Sequence, residues 1–264
     1  MNNFKNTEIY KTIIKHKLPC FFVSPHLDDA IFSAGGLLYE LSKRNVPITV
    51  INVFTKASNP PYTVSIKKFL KSCGYKNAYD LYNDRIEEDT EVLNKIGVKV
   101  INLDFVDALW RQKKTIKNII TNLIPEFNYI YPIYRTSIAK GKISKNDKGL
   151  EKSLENKFQK IILKNKKAIV FGPAGIGNHT DHLIVRNALS ENIKDSIVYW
   201  ADYPYAEHSQ VDKKFSSSLN LSKFTFKSNS KKKMELVLGY KSQISAIFGN
   251  NKIDTSKEIF FKTI

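Results

Sequence analysis

The sequence predicts an α/β fold with a mostly parallel central sheet. Short apolar runs rich in β-branched and aromatic residues alternate with stretches of helical pattern, which is typical of β-α-β units. At 264 residues the chain is long enough to bury a large core. Its 42% hydrophobic and 25% charged residues are typical of a globular protein. We therefore expect parallel strands joined by right-handed crossovers.

The first part of the chain contains the clearest unit. A helical pattern around 7–17 precedes a short apolar strand at 20–24, and the next stretch, "DDAIFSAGGLLYELSKR", is helical. A second apolar run, "ITVINVFT" at 48–55, has the β-branched content of a buried strand. Strand, helix and strand in this order predict two parallel neighbours in the sheet.

Similar signals recur along the rest of the chain. A loop rich in Pro, Tyr and Lys at 56–78 precedes a helix around 80–96, which Gly97 ends. Further strands are expected for "VKVINLDF", for "YIYPIY" near 129, for "KAIVFG" at 167–172 and for "IVYWAD" at 197–202. The pattern "DHLIVRNALSENI" between the last two is helical. Because no repeat or flexible linker divides the chain, we expect residues 1–264 to form a single domain.

Composition narrows the classes of function. No apolar run approaches the roughly 20 residues of a membrane-spanning helix, and the amino terminus lacks a secretory pattern, so we expect a cytoplasmic protein. Cys20 and Cys73 match neither a disulfide framework nor a metal motif. The net charge of +17 comes from scattered lysines, which favours a solvated surface over a nucleic-acid site. It is also compatible with an anionic substrate or with membrane headgroups.

Two loops concentrate the chemistry. The segments "SPHLDDA" and "GIGNHTDH" each follow a predicted strand. Together they hold three of the five histidines and three aspartates: His26, Asp28, Asp29, His179, Asp181 and His182. Because ligands of open parallel sheets lie beyond the carboxyl ends of the strands, we expect the two loops to meet there.

A metal ion would explain why these charges are gathered at the end of a buried strand. Catalytic zinc takes three protein ligands from His and Asp or Glu and leaves a fourth position for water. His26, Asp29 and His182 would supply such a set, and the spacing of the first two brings them to one side of a tight turn. Asp28 would then be free to act as a base. Another divalent ion could take the place of zinc.

Each residue alone has a simpler explanation. Asp28 or Asp29 could be the N-cap of the following helix, and Asp181 could cap the helix that begins near 182. A single histidine at a loop end is more often hydrogen-bonded than metal-bound. The metal hypothesis therefore depends on both loops together.

The two segments, quoted above, resemble the motifs of the zinc-dependent de-N-acetylase family named after PIG-L and LmbE. The likeness extends to "RIEEDTEVLNKIG", "LDFVDALWR", "DYPYA" and "YKSQ", so that it spans residues 20 to about 245. It implies a Rossmann-like three-layer sandwich. Two positions depart from the family pattern, because Ala30 replaces a common glutamate and Gly177 a tyrosine of some members.

The resemblance also implies roles for individual residues. It assigns metal binding to His26, Asp29 and His182, and the general base to Asp28. His179 would be a general acid or oxyanion stabiliser, with its ring oriented by Asp181. Arg85 and Asp107 would contact substrate. Arginine is scarce in this chain, with five residues (Arg44, Arg85, Arg111, Arg135 and Arg186), which favours a bidentate binding role for Arg85 over an ion pair with Glu88 or Glu91.

The expected function is metal-assisted removal of an N-acetyl group from an N-acetylglucosamine-type sugar or glycoconjugate, with release of acetate. The implied partner is a small-molecule substrate, and no nucleic acid is expected. Three alternatives stay open at this stage: a hydrolase of the same fold acting on another amide or ester, a non-catalytic carbohydrate-binding protein, and, from charge alone, a nucleic-acid-binding protein.

Overall fold

The structure is a computed structural model that describes residues 2–114, 123–147, 149–162, 164, 167–192, 196–249 and 251–263. Its centre is an eight-stranded sheet. The strands are β1 (Asn2–Asn3), β2 (Cys20–Ser24), β3 (Ile48–Lys56), β4 (Lys99–Val106), β5 (Ile169–Pro173), β6 (Ile197–Trp200), β7 (Leu221–Lys227) and β8 (Lys257–Thr263).

Helices connect most of these strands. Within the described residues they are α1 (Glu8–His16), α2 (Asp29–Lys43), α3 (Val64–Cys73), α4 (Ala78–Lys95), α5 (Leu150–Ile162), α6 (Thr180–Asn192), α7 (Lys213–Ser218), α8 (Ser230–Val237) and α9 (Lys241–Phe248). No helix in the part of the chain that the structure describes is both long and apolar enough to cross a membrane.

The sheet is mostly parallel, as the sequence predicts. Its strand order is β1-β7-β8-β6-β5-β2-β3-β4, and only β8 runs antiparallel to its two neighbours. Side chains alternate between two cores along β2: Phe22 belongs to the cluster with α1, α2 and α8, whereas Phe21 and Val23 belong to the cluster with α5 and α6. Both faces of the sheet are therefore covered, which gives three layers.

The chain changes direction between β2 and β5. From β2 it proceeds through α2 to β3 and β4 on one side, whereas β5 continues through α6 to β6 on the other. The strands β2 and β5 are parallel neighbours, with Cys20 opposite Ile169. Such a switch point opens a crevice at the carboxyl ends of the two strands, where open α/β sheets bind ligands.

A buried ion pair holds α2, the helix that follows the first loop. The backbone of α2 is non-helical at Ala34, and Glu258 of β8 accepts hydrogen bonds from the N–H groups of Gly36 (2.6 Å) and Leu37 (3.0 Å). Lys233 of α8 lies 2.9 Å from the same carboxylate. Lys233 is buried, so it is an exception to the solvated surface that the scattered lysines predict.

Two predicted elements are wrong. The segment "YIYPIY" is not a strand: Tyr129 forms an isolated bridge with Gln112, and a π-helical turn, Tyr134–Ile138, begins at the segment's last residue. Pro132 cannot donate a ladder hydrogen bond, which disfavours a central strand here. The predicted loop at 56–78 contains α3, which begins after the N-cap Thr63 and ends at Gly74.

Candidate active site

The first loop joins β2 to α2. The side chain that hydrogen-bonds to a backbone N–H group in the first turn of the helix is Ser24 and not an aspartate. The Ser24 hydroxyl accepts a hydrogen bond from Ala30 N–H (3.0 Å) and donates one to the His26 carbonyl (2.6 Å). Asp28 occupies the N-cap position but makes no side-chain capping bond. The capping alternative therefore does not account for Asp28, whose carboxylate faces the crevice.

The second loop joins β5 to α6 through left-handed backbone conformations. Gly175, Gly177 and Asn178 have φ values of 76°, 86° and 58°. A Cβ atom on Gly177 would lie 2.5 Å from the ring of Tyr205, so the glycine allows that ring to lie against the loop. His179 then precedes α6, and His182 lies in its first turn.

Asp29 joins the two loops at the bottom of the crevice. Its Oδ2 atom lies 3.1 Å from His26 Nδ1 and 3.3 Å from His182 Nε2, and it also accepts a hydrogen bond from His26 N–H (2.9 Å). Two ligands at about 2.0–2.1 Å from a tetrahedral zinc lie about 3.3 Å apart. The two donor separations therefore fit the edges of a coordination tetrahedron.

His179 lies beside these three residues. Its ring centroid is 5.0 Å from that of His26 and 5.2 Å from that of His182, and nitrogen atoms of the three histidines lie within 4.8 Å of one another. A second group within the same limit contains His26, Asp107 and Asp181. The donor set of the crevice is thus rich enough in imidazole and carboxylate to hold a divalent cation.

In His182 and His26, the ring nitrogen that faces away from Asp29 contacts another carboxylate. Asp202, at the end of β6, lies 2.7 Å from His182 Nδ1, and its other oxygen accepts a hydrogen bond from Ile176 N–H (2.8 Å). Asp181 lies 3.2 Å from His26 Nε2, and Asp107 lies 3.5 Å from the same atom. This arrangement, in which one ring nitrogen contacts a carboxylate and the other is directed at the site, is common among metal-binding histidines.

The position of Asp181 corrects the role expected from the sequence. Its carboxylate contacts His26, Ala108 N–H (2.8 Å) and the guanidinium of Arg111, whereas only its backbone N–H donates to His179 Nδ1 (3.3 Å). The side chain therefore orients His26 rather than His179. It points this way because the buried Arg111 holds its second oxygen.

A chain of buried groups stands behind Asp181. Arg111 binds both Asp181 and Asp147, and the Tyr131 hydroxyl donates to Asp147 (2.8 Å). Arg111 comes from the segment after β4 and was not predicted as a functional residue. Asp202 was also missed, because the sequence placed it inside the predicted strand "IVYWAD" at 197–202, whereas the observed strand ends at Trp200.

The electrostatic environment separates Asp28 from Asp29. Burial raises the pKa of both carboxyl groups, and for Asp28 the neighbouring Asp29 adds to it, which brings the pKa of Asp28 to about 6. At Asp29 the charges of His182 and His26 outweigh burial and lower the pKa below its usual range. Asp29 is thus held as a carboxylate, and Asp28 can exchange a proton near neutral pH.

Arg85 lies beside Asp28 and lines the crevice. Its guanidinium is 3.9 Å from Asp28 Oδ2 and donates to Gln243 Oε1 of α9. The alternative ion pairs are not formed, because Glu88 accepts hydrogen bonds from Ser242 and Glu91 pairs with Lys95 at 3.8 Å. Arg85 Nε and Gln243 Nε2 are buried and have no hydrogen-bond partner among the described residues, although both side chains line the pocket.

Asp107 also lies at this end of the sheet. It accepts hydrogen bonds from the Tyr82 hydroxyl (2.9 Å) and from Leu109 N–H (2.8 Å), and it is largely buried. The structure thus brings together all eight residues that the sequence singled out. Gln243 joins them from α9, and it is the last residue of "YKSQ", one of the segments in which the sequence resembles the family.

A pocket of about 920 Å³ contains the site. Its floor is formed by the buried ionisable residues described above: His26, Asp28, Asp29, Arg85, Asp107, His179 and His182. Its mouth is formed by the exposed lining residues, which are Lys68, Ser72, Ile133, Tyr134, Arg135 and Ile247. Tyr205 also lines the pocket, and its hydroxyl oxygen lies 3.5 Å from that of Tyr134. This volume is within the upper part of the range for small-molecule sites.

Comparison with known proteins identifies relatives of this chain. Residues 21–193 match the family profile of PIG-L, described as GlcNAc-PI de-N-acetylase. A 2'-N-acetylparomamine deacetylase of Niallia circulans is 25% identical over 244 residues, which cover 86% of this chain and 82% of that protein.

Solved structures share the fold. A deacetylase of teicoplanin biosynthesis has a TM-score of 0.76 at 22% identity, with 92% of this chain and 96% of that chain covered. A zinc-inhibited form of the teicoplanin deacetylase Orf2 has a TM-score of 0.73 at 21% identity, with 92% and 97% covered. The expected LmbE-like α/β architecture is confirmed.

Proposed function

This chain belongs to the PIG-L family of de-N-acetylases, which are hydrolases, and on that premise we propose that it removes the acetyl group of an N-acetylated amino sugar. The observation that carries the proposal is the position of Asp29 Oδ2 between His26 Nδ1 (3.1 Å) and His182 Nε2 (3.3 Å), with Asp28 next to them. The N. circulans relative, a 2'-N-acetylparomamine deacetylase by its name, supports an amino-sugar substrate.

We propose that His26, Asp29 and His182 hold one divalent cation. Two imidazoles and one carboxylate are a typical catalytic zinc set, but other first-row ions bind the same donors. The structural relative in a zinc-inhibited form is a reason to test other ions beside zinc. When bound, the cation would acidify a water molecule and polarise the acetyl carbonyl.

The residues of this chain would move the protons. Asp28 takes a proton from the attacking water as its oxygen bonds to the acetyl carbon. His179 then delivers a proton to the nitrogen, the C–N bond breaks, and acetate and the free amine leave. Burial lowers the pKa of the His179 ring. Because the ring then holds a proton only weakly, the proton that Asp28 takes from water would have to reach His179 before the amine leaves.

Arg85, Gln243 and Asp107 would bind the sugar. Arg85 and Gln243 line the pocket and each keeps one N–H group without a partner among the described residues, and Asp107 offers a carboxylate close to His26. Donors and an acceptor in this arrangement suit the hydroxyl groups around an acetamide. They would hold the carbonyl against Asp28 in a fixed orientation.

A screen for acetate release tests the proposal. Purified protein would be stripped of metal, reloaded with zinc, cobalt, manganese or nickel, and incubated with a panel of N-acetylated amino sugars. We expect acetate and free amine in equal amounts from at least one substrate, and loss of both in His182→Ala. The exposed His208→Ala serves as a matched control. Absence of acetate with every ion and sugar, while other acyl amides or esters are cleaved, would overturn the substrate class.

A further inference from the structure

Arg135 differs from the other four arginines. Arg44 pairs with Glu40, Arg85 with Asp28 and Gln243, Arg111 with Asp147 and Asp181, and Arg186 donates to the Ala174 carbonyl. Arg135 alone has no hydrogen-bond or ionic partner among the described residues. In a chain that uses arginine five times and lysine for all its other cationic charge, an arginine without a protein partner requires an explanation.

The backbone of Arg135 is fixed relative to the active site. It lies in the π-helical turn Tyr134–Ile138, and such turns are frequent at functional sites. The Thr180 hydroxyl donates to the Ile138 carbonyl (3.0 Å), which ties the turn to the start of α6. Tyr134, the preceding residue, has its ring 5.9 Å from that of His179. Arg135 therefore lies at the pocket mouth next to the floor residues.

A second cation contributes to the same mouth. Ser65, Lys68, Phe69 and Ser72 line the pocket from one face of α3, as their spacing of three and four residues requires. Lys68 also has no ionic partner among the described residues. All acidic residues that line the pocket (Asp28, Asp29 and Asp107) lie on its floor, so the charged side chains of the mouth are cationic.

We propose that Arg135, together with Lys68, binds an oxyanion carried by the aglycone, the group attached to the N-acetylated sugar. The inference rests on the proposed function, because the acetamide must lie on the floor for the aglycone to reach the mouth. A guanidinium binds phosphate or carboxylate through two parallel N–H···O bonds, and a lysine adds charge without fixed geometry. The net charge of +17 would attract such a substrate from a distance.

The test compares three N-acetylglucosamine derivatives that differ in the aglycone: the neutral methyl glycoside, the 1-phosphate and the glycoside of glycolic acid. We expect wild-type protein to have a lower KM for the anionic pair. Arg135→Ala should raise KM for them about tenfold, the loss of one charge-assisted contact, with the methyl glycoside unchanged. Arg135→Lys should give an intermediate value. The anion with the greater loss identifies the group, phosphate or carboxylate.

Lys68→Ala should raise the same KM values by a smaller factor. Its matched control is Lys67→Ala, an exposed neighbour on α3 that does not line the pocket. Equal changes for neutral and anionic substrates, or equal effects of the two lysine variants together with no effect of Arg135→Ala, would overturn the inference.

Calorimetric binding of N-acetylglucosamine 1-phosphate separates this inference from the proposed function. If no derivative releases acetate, the proposed function fails, yet weaker binding to Arg135→Ala than to wild type would still support the anion site. Unchanged binding by Arg135→Ala would overturn the anion site even if acetate were released.

Discussion

At the scale of single residues, Asp28 and Asp29 show how neighbours in sequence can have different chemistry. Both are buried, but Asp29 Oδ2 lies between His26 and His182, whereas Asp28 faces Arg85 at 3.9 Å. The histidine charges lower the pKa of Asp29, and burial with the Asp29 charge raises that of Asp28. The proposed division into ligand and base follows from these environments.

Asp28→Asn tests that division. The change keeps size and polarity but removes the proton acceptor, so kcat should fall by roughly 10²- to 10⁴-fold with metal content unchanged. Wild-type activity should fall as the pH drops through the pKa of Asp28, about 6 in this environment. A bound dication would lower that pKa, so the acidic limb belongs at or below pH 6. The variant should lack the limb in a pH-rate profile. If Asp29→Asn instead kept metal and activity, the two roles would be exchanged.

Arg111 tests whether the groups behind His26 affect metal binding. Circular dichroism should show that Arg111→Met keeps the fold. The variant removes the ion pair that fixes the Asp181 carboxylate, so Asp181 should orient His26 less well. Loss of such a supporting group typically weakens metal affinity by about 10- to 100-fold, which competition with a coloured chelator would measure. Arg186→Met is the matched control, because Arg186 is partly buried over the Phe215 ring (4.2 Å). Equal affinities of the two variants would contradict the positioning role.

At the scale of elements, the loop between β5 and α6 depends on a close approach between Gly177 and Tyr205. Gly177→Ala should lower the free energy of unfolding by more than Gly74→Ala does. Both glycines have positive φ (86° and 82°), a conformation that costs an alanine about 1 kcal/mol or more in each variant. Only at Gly177 would the new Cβ meet a ring, at 2.5 Å, whereas nothing lies within 4 Å of it at Gly74. The overlap should add about 1–3 kcal/mol.

Urea denaturation of the two glycine variants measures the difference. Because Tyr205 also lines the pocket, Gly177→Ala should in addition lower activity, whereas Gly74→Ala should not. Equal costs for the two variants would mean that Tyr205 does not hold its position against the loop.

Sequence patterns correctly predicted the strands and helices that contain an uninterrupted apolar run or a regular apolar face. The strand at 20–24 and the helix after it occur where the sequence placed them, because β2 is buried on both faces and α2 follows a polar turn. The helix α3 was missed although Thr63 and Gly74 are typical start and stop residues, because prolines and lysines around it favoured a loop. The aromatic run near 129 has β-propensity, but Pro132 and the packing of Tyr129 and Tyr131 override it.

At the scale of the whole molecule, the sheet topology decides which distant residues meet. His26 and Asp181 are 155 positions apart, and they meet because β2 and β5 are neighbours whose ends form the crevice. The sequence could indicate the residues that lie directly at strand ends. It could not indicate Arg111, because Arg111 reaches Asp181 only through the three-dimensional path of the segment after β4. We propose that the continuous sheet makes the chain one domain.

Metal removal should reveal how far the ion stabilises this topology. Its proposed ligands come from two loops, so an ion that binds the folded state only would raise stability by RT ln(1 + [L]/Kd), about 2.7 kcal/mol at a hundredfold excess over Kd. Chelation should therefore lower Tm, and readdition of the ion should restore it. His182→Ala should lose both stoichiometric metal by elemental analysis and the chelator-dependent shift, since it removes the ligand that α6 contributes. The exposed His208→Ala should keep both. Full metal occupancy in His182→Ala would show that the ion binds elsewhere, and the assignment of the two loops to one metal site would fail.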